Sequence, residues 1–166
     1  MPETNNPYAA PEADVADVLG RPIESPPLWN PNAAASWSLI FSPVFGALIQ
    51  RKNWQALGEL ERAEKSKQWA IGSLVFLILM VVLAVWSDGR SAVDALTRVA
   101  GLALLITWYY SNGKAQQAYV LARFGKTYKR RGWGFALLCA VAACAGFLVV
   151  AALIGIVAAM LEGRLG

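Results

Sequence analysis

Asp94, Arg98, Tyr109, Tyr110 and the thiols of Cys139 and Cys144 are the side chains able to do chemistry at the depth of the chain's apolar runs. Asp94 and Arg98 are four residues apart, so on a helix they share a face and can form an intramembrane ion pair. Such a pair points by default to function, for example an ion or proton path. Near a helix end, however, Asp94 favours the N-terminal dipole and Arg98 reaches toward the interface, and this structural reading is preferred. A proton path also wants an acid near the midplane, and the apolar cores supply none. Cys139 and Cys144 lie about 140° apart around a helix of 3.6 residues per turn. They cannot bridge each other and read as small apolar fillers. The chain has no histidine, which removes the usual general base and most zinc or haem ligand sets. It also has no Gly-rich phosphate loop, no Cys-x-x-Cys pair and no Ser with a His base. A non-enzymatic protein with no cofactor and no metal is therefore expected.

The elements that carry these residues follow from composition. The chain has 166 residues, 57% hydrophobic and 16% charged, against a soluble norm of about 25% charged. Its mean hydropathy is +0.42. This predicts an all-α, polytopic integral membrane protein with three to four transmembrane helices and a Pro-interrupted first apolar segment. Residues 1–32 hold seven of the eight prolines and five acids, so they bury too little to order themselves and read as a mobile acidic tail. Pro26, Pro27, Leu28 and Trp29 are its candidate partner-binding residues. No secretory signal pattern is present, so the tail is expected to stay on the mature protein. Residues 33–166 form the helical membrane domain.

Its apolar segments are 33–49, 69–86, 91–110 and 133–161. The first has 17 uncharged residues broken by Pro43 and Gly46; it either spans or enters and returns, and re-entry is favoured. Segment 69–86 has a tryptophan at each end, about 26 Å apart on a helix, which matches aromatic belts on the two sides of a bilayer. Residues 51–68, with five basic residues and three acids, read as a solvated connecting helix. Residues 111–132 carry six basic residues and no acid. There Lys126, Lys129, Arg130 and Arg131 are candidate contacts for anionic lipid headgroups. Basic residues beside apolar runs point to membrane topology rather than to nucleic acid, and no nucleic-acid partner is expected. The positive-inside rule places 51–68 and 111–132 in the cytoplasm. Along 133–161, Ala136, Ala140 and Cys144, then Ala151, Gly155 and Ala159, recur every four residues. They form a candidate packing face for another helix, in a protein partner or a homo-oligomer.

The segment Trp37-Ser38-Leu39-Ile40-Phe41-Ser42-Pro43-Val44-Phe45-Gly46-Ala47, followed by Asn53-Trp54-Gln55-Ala56-Leu57-Gly58, resembles a group of uncharacterised small bacterial inner-membrane proteins. Tyr119-Val120, Phe124-Gly125, Tyr128 and Arg130-Arg131-Gly132-Trp133-Gly134 look like that group's second signature. The chain departs from it at Ala136, where similar proteins often carry proline. The resemblance implies a location and carries no catalytic residue. Location, small-residue stripes and interfacial tryptophans together predict action through protein or lipid contacts. The specific form expected is an immunity protein that neutralises a membrane-targeting toxin. The alternatives are an accessory subunit or organiser of a larger membrane complex and, less favoured, a small oligomeric transporter with Asp94 on its path.

Overall fold

In a computed structural model, residues 24–87 and 90–163 are described, and the acidic tail over residues 1–23 lies outside the described residues. Two short helices come first, α1 (Pro31–Phe41) and α2 (Pro43–Ala56). They are separated because Pro43 offers no N–H and its ring drives the preceding residue out of the α region. Ser42 accordingly takes φ 87° and ψ 162°, the one positive φ at a described non-glycine residue. The chain reverses there. Trp29, just before α1, exchanges hydrogen bonds with Asn53 near the end of α2: its N–H donates to Asn53 Oδ1 at 3.0 Å, and Asn53 Nδ2 donates to the Trp29 carbonyl at 2.8 Å. The apolar segment 33–49 is thus a helical hairpin that returns to the side it entered from. An 11-residue α1 reaches about 16 Å, half of a hydrocarbon core of roughly 30 Å.

Three longer helical stretches are apolar enough to cross a membrane: α3 (Leu60–Trp86), residues 91–124, and α6 (Gly134–Leu161). Residues 91–124 are α4 (Ser91–Trp108), a π-helical turn (Tyr109–Gly113) and α5 (Lys114–Phe124). At most 11% of any of the three apolar windows is buried inside the chain, so their flanks need hydrocarbon around them. The architecture is all-α and polytopic, three long helices with a short helical hairpin packed among them. Trp69 and Trp86 mark the two ends of the apolar part of α3, and Trp86 is 79% exposed.

The closest helix pairing joins α2 to α3. On α2 the buried residues are Pro43, Gly46, Ala47, Ile49, Gln50, Asn53 and Trp54, and on α3 they are Ala63, Ser66, Ala70 and Ser73. Small side chains on both faces let the backbones approach. This corrects the expectation that 51–68 is a solvated connector: only the turn around Gly58 (φ 78°) connects, while its flanks are the packed end of α2 and start of α3. Gly46 has no room for a side chain, since Ser38 Oγ and the Trp108 ring occupy the volume its Cβ would take. Trp108, with Ala47 and Ala70, forms the core beneath the hairpin.

The end of the supposed tail is also folded. Leu28 is fully buried, beside Val120 and Tyr128. Its N–H donates to the Lys129 carbonyl at 2.9 Å, and its carbonyl accepts from the Arg131 N–H at 2.8 Å. Residues 24–30 are a strap across the ends of the helices, so the Pro26–Trp29 stretch, read as part of a solvated tail with partner binding as the alternative, is seated on its own chain. Gly46→Ala is expected to lower stability by about 1–3 kcal/mol through overpacking. Thermal unfolding in mild detergent checks it, and an unchanged midpoint would show that the hairpin tolerates separation from α4.

Candidate functional site

The polar interior sits where the hairpin, α3 and α5 converge. Gln50, Asn53, Ser66, Asn112 and Gln116 are all buried. Asn112 Nδ2 donates to Gln50 Oε1 at 2.7 Å and to Ser66 Oγ at 3.1 Å. Gln116 Nε2 donates to the Gln50 carbonyl at 2.9 Å, and its Oε1 accepts from Asn53 Nδ2 at 3.1 Å. Ser66 Oγ in turn donates to the Arg62 carbonyl at 3.0 Å. A carboxamide both donates and accepts without titrating, so this cluster ties helices together in an apolar setting without burying a charge. It has no group that could move a proton. Gln50 Nε2, Trp54 Nε1, Trp108 Nε1 and Ser73 Oγ are buried without a hydrogen-bond partner among the described residues.

The π turn is what lines this face up. Trp108, Asn112, Gln116 and Val120 are buried at a spacing of four residues. Twelve residues of plain α-helix would overshoot whole turns by about 120°, and the extra residue in one π turn cuts that to about 20°. Trp108, Asn112 and Gln116 therefore face the hairpin, and Val120 meets Leu28 of the strap at its mouth.

Above the cluster lies a basic surface backed by aromatic rings. The Arg62 guanidinium sits 4.9 Å from the ring centres of both Trp54 and Tyr119. The Tyr119 hydroxyl donates to Glu59 at 2.6 Å and accepts from Arg123 at 2.6 Å. Arg131 lies 4.7 Å over Trp29, whose Nε1 donates to the Gly132 carbonyl at 3.1 Å. Arg130 lies 5.5 Å over Tyr128. Planar guanidinium groups stack on rings while their edges stay free for anions. Burial raises the Tyr128 phenol above its usual 10.0, with the Arg130 charge pulling part of the way back.

The residues singled out in the sequence are distributed around this core. Lys126, Lys129, Arg130 and Arg131 are all exposed on the loop after α5, beside the strap. Asp94 and Arg98 are both exposed in the first turns of α4. The ion pairs among the described residues are Arg62–Glu59 at 3.6 Å and Lys67–Glu64 at 2.9 Å, so Asp94 and Arg98 do not pair. Asp94 instead lies in the first turn of α4, where the helix dipole favours it. Ala151, Gly155 and Ala159 are half-buried on the face of α6 that also holds Ala140 and Cys144. Nothing lies within 4 Å of where a Gly155 Cβ would stand, and a groove of about 490 Å³ separates this part of α6 from Val82, Val85 and Trp86 of α3. Cys139 and Cys144 are free thiols. No cluster of metal-ligating side chains occurs among the described residues.

Sequence reasoning passed over Gln50, Asn53, Asn112 and Gln116. The available signal was their position: amides bordering long apolar runs, at helical spacing within each pair, Gln50 with Asn53 and Asn112 with Gln116.

No protein-family model, curated protein or solved structure matches the chain.

Asn112→Ala strips the Gln50 side chain of its one partner and leaves Ser66 without its donor, an expected loss of about 1–3 kcal/mol. Unfolding in detergent measures it, and the double variant Gln50→Leu, Asn112→Leu should recover much of the loss because both partners then become apolar. Tyr128 gives a pH dependence of known sign. A phenol pKa raised in the fold means that its contribution is intact below pH 10.0 and is lost as pH rises through the folded value. Proteolysis of the strap should therefore quicken above that pH in the wild type, and Tyr128→Phe should remove the alkaline step.

Proposed function

We propose that this chain is a non-catalytic protein of the bacterial inner membrane that acts by holding other molecules. The observation that supports this most is sidedness. The eleven Lys and Arg of 51–68 and 111–132 gather at the end where the strap, the hairpin mouth and α5 meet. At the other end stand Arg90, Asp94 and Arg98 at the start of α4 and Glu162 after α6. By the positive-inside rule the basic end faces the cytoplasm, and anionic lipid headgroups are the nearest counter-charge for Lys126, Lys129, Arg130 and Arg131. The resemblance to small inner-membrane proteins agrees with this placement.

The outward contact surface for protein is α6, where Leu148, Val149, Leu153, Ile156, Val157 and Met160 are exposed. The neighbouring Ala151, Gly155 and Ala159 stripe offers a close approach to a second helix. Within this class the specific form we propose is an immunity protein that occupies a membrane-targeting toxin, with an accessory subunit of a larger membrane complex as the second reading. Affinity purification from native membranes in mild detergent, with crosslinking and mass spectrometry, separates them. A stoichiometric secreted protein supports immunity, a resident assembly supports the accessory subunit, and recovery with lipid alone removes both. Because Gly155 faces open space within the chain, Gly155→Leu should leave the monomer fold intact and shrink the native complex; a complex of unchanged size would show that this stripe is not the contact.

A further inference from the structure

We propose that a cleft between α1 and α4 holds a single anionic phospholipid, with one acyl chain on its floor and its phosphate at Lys114. The cleft has a volume of about 290 Å³, and Asn32, Ser36 and Leu39 of α1 face Leu105, Ile106 and Tyr110 across it. The two helices run in opposite directions, so their chemistry is graded alike. Asn32, Ser36 and Tyr110 stand toward the basic end, and Leu39, Leu105 and Ile106 stand deeper. That order, polar outside and apolar within, is the order of a phospholipid in one leaflet.

The hairpin reaches only about half of the hydrocarbon depth, so the cleft opens sideways into that leaflet and an occupant enters from lipid. From Asn32 to Leu39 the cleft is about 10 Å deep along the helix. Its volume then leaves a mean cross-section of about 30 Å², room for one hydrocarbon chain and well below the roughly 80–110 Å² of a helix 10–12 Å across. A second copy of α6 or a partner helix is thereby too wide.

Charge fixes the headgroup. Lys114 is exposed one turn beyond Tyr110, with its ammonium 5.8 Å from the Tyr110 ring centre. It makes no ion pair with a carboxylate among the described residues. Trp108 lines the cleft, and its buried indole N–H has no acceptor among the described residues. The π turn sets Tyr109 and Tyr110 edge to face, with ring centres 5.4 Å apart, as one wall of the mouth.

Native mass spectrometry of the full chain in mild detergent tests this, with phosphatidylglycerol or phosphatidylcholine of identical acyl chains as probes. One phosphatidylglycerol per chain should be retained, at several-fold higher occupancy than phosphatidylcholine. Lys114→Gln, at an exposed side chain whose contact is with the Tyr110 ring, should lower phosphatidylglycerol to the phosphatidylcholine level. Ala35→Phe, which fills the cleft, should lower both several-fold. The pair Lys129→Gln, Arg130→Gln weakens salt-dependent binding to anionic vesicles and should leave the single adduct in place, which separates this seat from headgroup contact at the loop. Equal retention of the two lipids, an adduct unchanged by Lys114→Gln, or loss confined to the loop variants would overturn the proposal.

Discussion

The Asn53 carboxamide is the joint on which the arrangement turns. It accepts the Trp29 N–H and donates to the Trp29 carbonyl and to Gln116 Oε1, so one side chain closes the mouth of the hairpin and fastens it to α5. Backbone groups at the ends of two short helices have few partners of their own, and in hydrocarbon an unmet group costs several kcal/mol. A hairpin that enters a membrane without crossing it is stable only if its neighbours supply those partners. Here Asn53 meets both backbone groups of Trp29, Asn30 Oδ1 accepts the Asn32 N–H at the start of α1, Gln116 donates to the Gln50 carbonyl, and the Leu28 strap seals the same end with two backbone hydrogen bonds to the loop after α5.

Neutral and charged groups are segregated by depth. The cluster beneath the basic surface contains amides and hydroxyls, which bond to one another without the desolvation cost of an ion. Charges begin one layer out, where Arg62, Arg130 and Arg131 stack on Trp54, Tyr119, Tyr128 and Trp29. Stacking orients these guanidinium groups while keeping them at the surface. Asp94 and Arg98 follow the same rule at the opposite end: both remain exposed in the first turns of α4 rather than pairing in the apolar interior.

Small residues do two different things in this molecule. On α3, Ala63, Ser66, Ala70 and Ser73 are buried against α2, and Gly46 carries the Trp108 ring where a side chain would be. On α6 the more conspicuous stripe of Ala151, Gly155 and Ala159 is half-buried, with open space at Gly155. Composition alone ranks the α6 stripe first because it lies in an unbroken apolar run. The α3 set is interrupted by charged residues whose side chains simply point the other way.

The amino-acid sequence by itself determined the class of this protein and the clustering of its basic residues in two segments. Long uncharged runs with tryptophan at their ends, and Lys and Arg concentrated in two segments, act through hydrophobicity and charge, which need no knowledge of neighbours. The break at Ser42-Pro43 was legible for the same reason, since proline acts on its own backbone. The tertiary structure alone decided that the broken segment returns, that 24–30 is a strap, and that four amides from two distant stretches share one site. Pairings such as Asn53 with Gln116 and Asn112 with Gln50 join residues more than sixty positions apart, and no local pattern records them. Their partners follow from the cost of leaving a buried amide unpaired once the apolar faces have closed, which most of these groups avoid.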